Sequence, residues 1–557
     1  MAGRKMAWRR VWQGPALAGF LSSAFLLIAV VFAAPQEAGK KAAGAHANAG
    51  PLFQTSDRCM ACHNGLTTPS GEDVSIGSQW RATMMANSSR DPYWQAAVRR
   101  ETMDHPKAGA AIEDECAVCH MPMARYEAMT EGREGEVFAH LGFDGENHAD
   151  RLAADGVSCA ACHQIKDEKL GTRESFVGRF VIEPGAALGE RPLYGPFEID
   201  AGRTRVMRSS AGFRPTEGKH IQKSEMCATC HTLYTKALGP EGEVIGELPE
   251  QVPYQEWWHS DFREEKSCQS CHMPVVAEEM PITSVLGEAR KGMSRHVFVG
   301  GNFFMLRMLN RYRADLRVTA LPQELEAAAE RTVQHLQSES AQLAIDQIEV
   351  EGGRLVTDIT VRNLAGHKLP TAYPSRRAWL HVVVRDRDRN VVFESGALNA
   401  QGLIAGNDND LDAGRFEPHH TVITNSDQVQ IYESIMADAK GNLTTGLLSA
   451  VRFVKDNRLL PRGFDKNTAG EDIAVRGDAL EDADFLGGSD RIRYAIPLGE
   501  AAGPYRIEAE LWYQPISYRW ASNLRPYRAA ETERFVKYFD SMASGSGTRL
   551  AAVSALK

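Results

Sequence analysis

The sequence predicts a molecule in two parts. An α-helical, loop-rich segment runs over about residues 51–313, followed by a mostly-β, sandwich-like domain with a terminal helix. Three observations predict this. All ten cysteines fall between residues 59 and 271, in repeats of one short pattern. Directly after that region, "LPQELEAAAERTVQHLQSES" (321–340) is rich in Glu, Ala and Leu, the composition of a strong helix. Beyond residue 344, several runs alternate apolar and polar residues, the period of half-buried strands.

Taken in order, the chain opens with a basic stretch (Arg4, Lys5, Arg9, Arg10), then an apolar run from Pro15 to Ala34 that ends in small residues. Residues 1–34 therefore read as an export signal, with a retained membrane anchor as the alternative. Both place the body of the protein outside the cytoplasmic membrane, and the periplasm is the expected location. Residues 35–50, "PQEAGKKAAGAHANAG", are small and glycine-rich and read as a linker. No later segment is long and apolar enough to span a bilayer.

Residues 51–313 hold the repeated pattern, C-x-x-C-H. Its copies are Cys59, Cys62 and His63; Cys116, Cys119 and His120; Cys159, Cys162 and His163; Cys227, Cys230 and His231; and Cys268, Cys271 and His272. Two thiols three positions apart can add across the vinyl groups of one haem, and the adjacent imidazole then lies against the iron. A zinc site does not require a histidine after every second cysteine, and a redox dithiol would need a single copy in a βαβ setting. The pattern predicts five covalently bound c-type haems. Loop signals separate short helical pieces throughout; "SQWRATMMANSSRDPYWQAAVRRE" (78–101) has helical spacing broken at Asp91-Pro92.

The opposite face of each iron decides function, because a sixth ligand favours electron transfer and an open face admits substrate. Twelve of the seventeen histidines lie outside the motifs. His148 and His220 lead into the third and fourth motifs, and His296 stands beside Gly300-Gly301, where the backbone can approach a flat cofactor. These three are distal-ligand candidates, with His140 and His259 behind them; an ordinary hydrogen-bonded histidine is the plainer reading of each. For the first haem, "WRATMMANSS" offers Met84 and Met85 with no histidine close by, and Met85 is the candidate thioether ligand with core packing the alternative.

After a connecting helix (314–343), residues 344–525 supply the strands. "AIDQIEVEGGRLVTDITVRN" is a hairpin about Gly352-Gly353, and "RRAWLHVVVRDRDRNVVFESG", "RIRYAIPL" and "YRIEAELWYQP" continue the pattern. "AGNDNDLDAG" sets Asp408, Asp410 and Asp412 at alternate positions. A solvated acidic loop is the simpler reading, and calcium the alternative cofactor. Residues 526–557 read as the terminal helix "ETERFVKYFDSMA" and a loose tail, "SGSGTRLAAVSALK".

The stretches "DPYW", "CAVCHMPMA", "DGVSCAACHQI", "SEMCATCHTLYT", "YQEWWHSDF" and "SCQSCHMP" resemble bacterial multihaem c-type cytochromes related to the tetrahaem cytochrome that takes electrons from hydroxylamine oxidoreductase. Many relatives carry W-x-x-S-x-H-A with a ligating histidine; here the matching stretch runs from Trp80 to Ala86 and places Met85 at that position. "NLAGHKLPTAYPSRRAWLHV", "FEPHH", "QVQIYES" and "VKDNRLLPRGF" resemble an accessory β-rich domain attached to such cytochromes. That resemblance implies that His367 and His419 are residues by which the domain could ligate an iron from outside the motif region.

The chain has 557 residues and a net charge of −9, and each haem would add two propionates. An acidic surface excludes nucleic acid as a partner and suits redox proteins, such as other cytochromes or quinol-linked or terminal oxidoreductases, with a basic docking patch. The expected function is electron transfer through closely spaced haems. The alternative is a multihaem oxidoreductase with one open-faced haem acting on a small nitrogen or sulfur compound. Phosphate-loop, nucleophile-elbow and dinucleotide signatures are absent.

Overall fold

The structure is a computed structural model, and it describes residues 51–557. The expected signal or anchor (1–34) and linker (35–50) lie outside the described residues. No helix among the described residues is long and apolar enough to cross a membrane.

The first half is built of short helices and loops, as its punctuation by Gly, Pro, Asn and Asp dictates. Its longest helices are Pro92–Asp104 and Gly109–His120. The first begins where the sequence break lies, with Pro92 at its first turn and the Asp91 side chain accepting from the N–H groups of Tyr93 and Trp94. This half also holds β structure that the expectation of helix and loop left out. β1 (Arg191–Gly195) pairs in parallel with β2 (Phe213–Glu217), and β3 (Leu233–Leu238) is antiparallel to β4 (Val244–Gln251). The β3–β4 hairpin turns through "GPEG", where Gly242 has φ +86°.

The helix Pro322–Glu339 leads into the second half. β5 (Ala341–Glu351) and β6 (Arg354–Asn363) form the expected hairpin, with positive φ at both Gly352 and Gly353, the condition a tight primed turn imposes. β7 (Arg377–Arg385), β8 (Val391–Ser395), β9 (Val422–Ile423), β10 (Ile431–Tyr432), β11 (Ser434–Asp438), β12 (Leu443–Thr444), β13 (Ala450–Asp456), β14 (Ser489–Pro497) and β15 (Arg506–Gln514) follow. One sheet runs β10-β7-β15-β16, where β16 is Thr548–Leu556, with β8 beside β7, a second β5-β6-β14-β9, and a third β12-β11-β13. Ile359, Val361 and Ile492 of the second sheet and Leu380, Val382 and Ile507 of the first belong to one buried core. That is sandwich-like packing.

The expected loose tail is instead β16 (Thr548–Leu556), antiparallel along β15 from Arg506 to Tyr513. An uncovered β15 would present an edge of unpaired backbone groups, and β16 satisfies it. The acidic loop is also committed elsewhere. Both oxygens of buried Asp410 accept from the Arg377 guanidinium at 2.8 and 2.9 Å, Asp408 pairs with Arg415, and Asp412 accepts from the Gly414 N–H. These carboxylates serve arginine and backbone donors instead of converging as a calcium cage.

A candidate multihaem cavity

Each motif lies on or at the end of a helical turn, such as Gly109–His120, Cys159–Cys162 and Cys268–His272. On a turn, residues i, i+3 and i+4 share a face, so both thiols and the imidazole of one motif point the same way. They point into a single cavity of about 1830 Å³, lined by all ten cysteines and all five motif histidines. Pockets for one drug-sized ligand measure about 300–1,000 Å³, so this space exceeds a single small ligand. None of the ten cysteines is paired in a disulfide; each keeps partial exposure, and that surface faces the cavity. The thiols of Cys59 and Cys159 lie side by side, as do those of Cys227 and Cys268.

The imidazoles are held in one orientation. Nδ1 of His63 faces the carbonyl of Ile282 at 2.6 Å, that of His120 faces Ser88 at 2.9 Å, that of His163 faces Tyr194 at 2.5 Å, and that of His272 faces Val299 at 2.5 Å. A carbonyl only accepts, so each Nδ1 carries the proton and Nε2 is left with its lone pair free. His231 has no such tether. Burial pushes His120 and His231 down to about 4, which keeps them neutral, the form that binds metal. Trp94 stacks on His120, with centroids 4.3 Å apart and planes within 4°.

Of the distal candidates, the structure brings His296, His367, Met84 and Met85 to the cavity. His296 Nδ1 faces the Ser294 carbonyl at 3.0 Å and His367 Nδ1 the Lys368 carbonyl at 2.9 Å, the same tether the motif histidines use. The His296 ring lies 6.3 Å from that of His163, and the His367 ring 6.3 Å from that of His272. Burial drives His296 down to about 3 and His367 to about 4. The open space at Gly300, where a Cβ would meet nothing within 4 Å, faces the same cavity.

The other candidates lie away from it. His220 is buried, but its Nε2 donates to the Ile165 carbonyl at 2.8 Å. His148 is partly exposed, 3.1 Å from Glu127, and His140 pairs with Asp150 at 2.6 Å. His259 lies against Phe464 and within 3.2 Å of the Asp465 carbonyl. His419 sits in a separate buried cluster with Asp482 and Asp490. There its Nδ1 accepts from Gln430 at 2.9 Å and Asn457 at 3.0 Å, so Nε2–H donates to Asp482 at 3.0 Å. Both amides are fixed the other way round by the N–H groups of His420 and Glu433, which donate to their oxygens. A metal on Nε2 would force a proton onto Nδ1, against two donors. His419 is therefore a structural histidine.

Sequence reasoning missed His335. It lines the cavity from the helix Pro322–Glu339, one turn beyond Arg331, and its ring lies 6.2 Å from that of His272. The signal was present: Arg331 and His335 share the helix face that also carries buried Ala328. The residues present fit haem. They offer paired thiols on one face, neutral imidazoles with free Nε2 atoms, and enclosed, largely apolar space.

No family model matches the chain, and no curated protein matches it. Among solved structures, a penta-heme cytochrome c552 from Thermochromatium tepidum is similar to it at TM-score 0.48 and 15% identity, over 91% of this chain and 100% of that one.

Proposed function

We propose that the chain is a pentahaem c-type cytochrome of the bacterial periplasm that relays electrons between redox proteins. The observation that carries this reading is the single cavity into which all five C-x-x-C-H motifs converge. The neighbouring thiols of the first and third motifs, and of the fourth and fifth, would attach their haems side by side. Cys230 lies within electrostatic reach of Cys119 and Cys162, which sets the fourth motif toward the second and third. Close edges are what electron hopping requires. Haem supplies the redox chemistry, and the chain sets potentials through axial ligands, burial and charge.

His163 with His296, and His272 with His367, are read as axial pairs. Two imidazoles sharing one metal at about 2 Å each, with each nitrogen about 1.1 Å from its ring centre, hold their centroids about 6.3 Å apart. Arg331 and Arg376 line the cavity with no carboxylate partner among the described residues and are placed to attract propionates. Mass spectrometry and a haemochrome assay of the exported protein test the reading. Five haems on the ten cysteines support it, and intact free thiols in the mature protein sink it.

A second reading, a haem with an open face, has its own observation. Among the described residues, three non-motif histidines line the cavity, His296, His335 and His367, and all three stand near His163 or His272. Among the described residues, irons at His63, His120 and His231 would be left to methionine or to no protein ligand. Low-temperature EPR of the oxidised protein with and without nitrite and hydroxylamine distinguishes the two. A high-spin signal that responds to the added ligand moves this protein into the oxidoreductase class, whereas five unresponsive low-spin irons keep it a relay.

A further inference from the structure

The strand β6 ends at Asn363 and β7 begins at Arg377, and the loop between them, 364–376, reaches into the cavity with His367, Tyr373 and Arg376 on its lining. Nothing about a loop alone holds a ring to a metal. Here the loop is fastened by four charged side chains, Glu256, Lys368, Asp456 and Arg458, of which Glu256 and Lys368 are 0% exposed. They come from three places: Glu256 from the helix Pro253–Trp258 of the motif region, Lys368 from the loop itself, and Asp456 and Arg458 from β13 and just beyond it.

The four charges cancel and interlock. Lys368 Nζ donates to Asp456 Oδ2 at 2.7 Å, and Arg458 spans both Asp456 oxygens at 2.8 and 2.7 Å. The Arg458 guanidinium also lies 2.9 Å from Glu256 Oε1. Glu256 Oε2 accepts from the Lys368 backbone N–H at 3.1 Å and from the Thr371 hydroxyl at 2.5 Å, so it grips the loop immediately after His367. Before it, Gly366 backs onto Phe262 so closely that a Cβ would stand 3.2 Å from that ring. The carbonyl that orients His367 Nδ1 belongs to Lys368 itself.

We infer that this buried cluster is a positioning device. Glu256 and Lys368 act through the backbone of residues 366–371 to hold His367 Nε2 opposite His272, as sixth ligand to the iron of the fifth motif. The inference rests on the haem reading above. A cluster of this kind is poor as a source of stability, since packed apolar residues do as well, and its better-attested use is to specify one arrangement among several. A rival arrangement is at hand: His335 stands as close to His272 as His367 does, tilted 55° to it, and neither of its ring nitrogens is tethered by a described residue.

The test compares the full-length haem-loaded protein with its H367A, K368M, K368R and E256Q variants, by haem count and low-temperature EPR. The expected result is that K368M and E256Q keep all five haems but lose or shift one low-spin signal in five. H367A should change the same signal, H367A/K368M no more than H367A alone, and K368R should restore it. E256Q keeps the side-chain shape and carries the test if K368M does not accumulate. Unaltered spin states in K368M and E256Q, alongside an altered H367A, overturn the positioning role while leaving His367 a ligand. An unaltered H367A removes His367 from the iron, and fewer than five haems in the parent protein defeats the haem reading instead.

Discussion

At the scale of single residues, one hydrogen bond marks six of the candidate ligands. His63, His120, His163, His272, His296 and His367 all spend Nδ1 on a backbone carbonyl and leave Nε2 to the cavity. His220, equally well placed by sequence, spends Nε2 on Ile165. The H296A variant should therefore keep five haems and convert one low-spin iron to high spin, whereas H220A should leave every spin state unchanged. EPR of the two variants side by side checks this, and a spin change in H220A alone would reverse the assignment. The motif thiols and imidazoles were legible because they are adjacent in the chain. Of the histidines on the opposite side of the cavity, His296 was marked by Gly300-Gly301 and His367 by resemblance, but His335 was not, because it comes to the cavity from a helix far along the sequence from any motif. Proximity to a motif favoured His148 and His220, yet a ligand must come from the opposite face, where residues next to the motif rarely reach.

At the scale of elements, the helix Pro92–Asp104 shows how secondary structure supports the cavity. Its cap, Asp91, is buried and pushed up to about 6 by that burial, while its carboxylate accepts from two backbone N–H groups. D91A should cost about 1 kcal/mol in a denaturant melt, and D91N, an equally good cap, only a few tenths. The same helix carries Trp94 onto His120, so D91A should also perturb the spectrum of the second haem. Near the helix end, burial pushes Glu101 up to about 7 even though Arg100 and the Leu447 N–H favour its charge. Between its unfolded value of 4.5 and about 7, the unfolded chain has released this proton while the folded chain retains it. Stability then falls as pH rises through that window, by roughly 3 kcal/mol at most. E101Q should flatten that slope in thermal melts at pH 4.5–7.5, and an unchanged slope would place the titration elsewhere. Periodicity exposed the strands β5, β6, β14 and β15 and the helix Pro322–Glu339, where one face is buried and the other wet. It failed at β16, whose small residues carry little hydrophobic contrast; that strand is specified by the edge of β15 it covers.

At the scale of the whole molecule, charge and cavity act together. The chain carries −9 before cofactors, and the five haems proposed above, with two propionates each, would deepen that sign. A relay that exchanges electrons with soluble partners is limited by how often the two meet in the right orientation, and an acidic body draws a basic partner across distances set by ionic strength. The screening length falls from about 30 Å at 0.01 M to about 10 Å at 0.1 M and about 3 Å at 1 M, so long-range attraction should vanish across that range. The bimolecular rate of electron exchange with a small basic cytochrome should drop by about tenfold or more between 0.01 and 0.3 M salt, and that with an acidic one should rise. Stopped-flow reduction of the haem-loaded protein at several salt concentrations measures both. The unimolecular phases that follow, electrons redistributing among haems inside the cavity, should be insensitive to salt, because charges separated by protein and porphyrin are poorly screened. If encounter is instead indifferent to salt with either partner, the acidic surface is only a solubility feature, and the docking site must be an uncharged patch or another protein's membrane-bound surface.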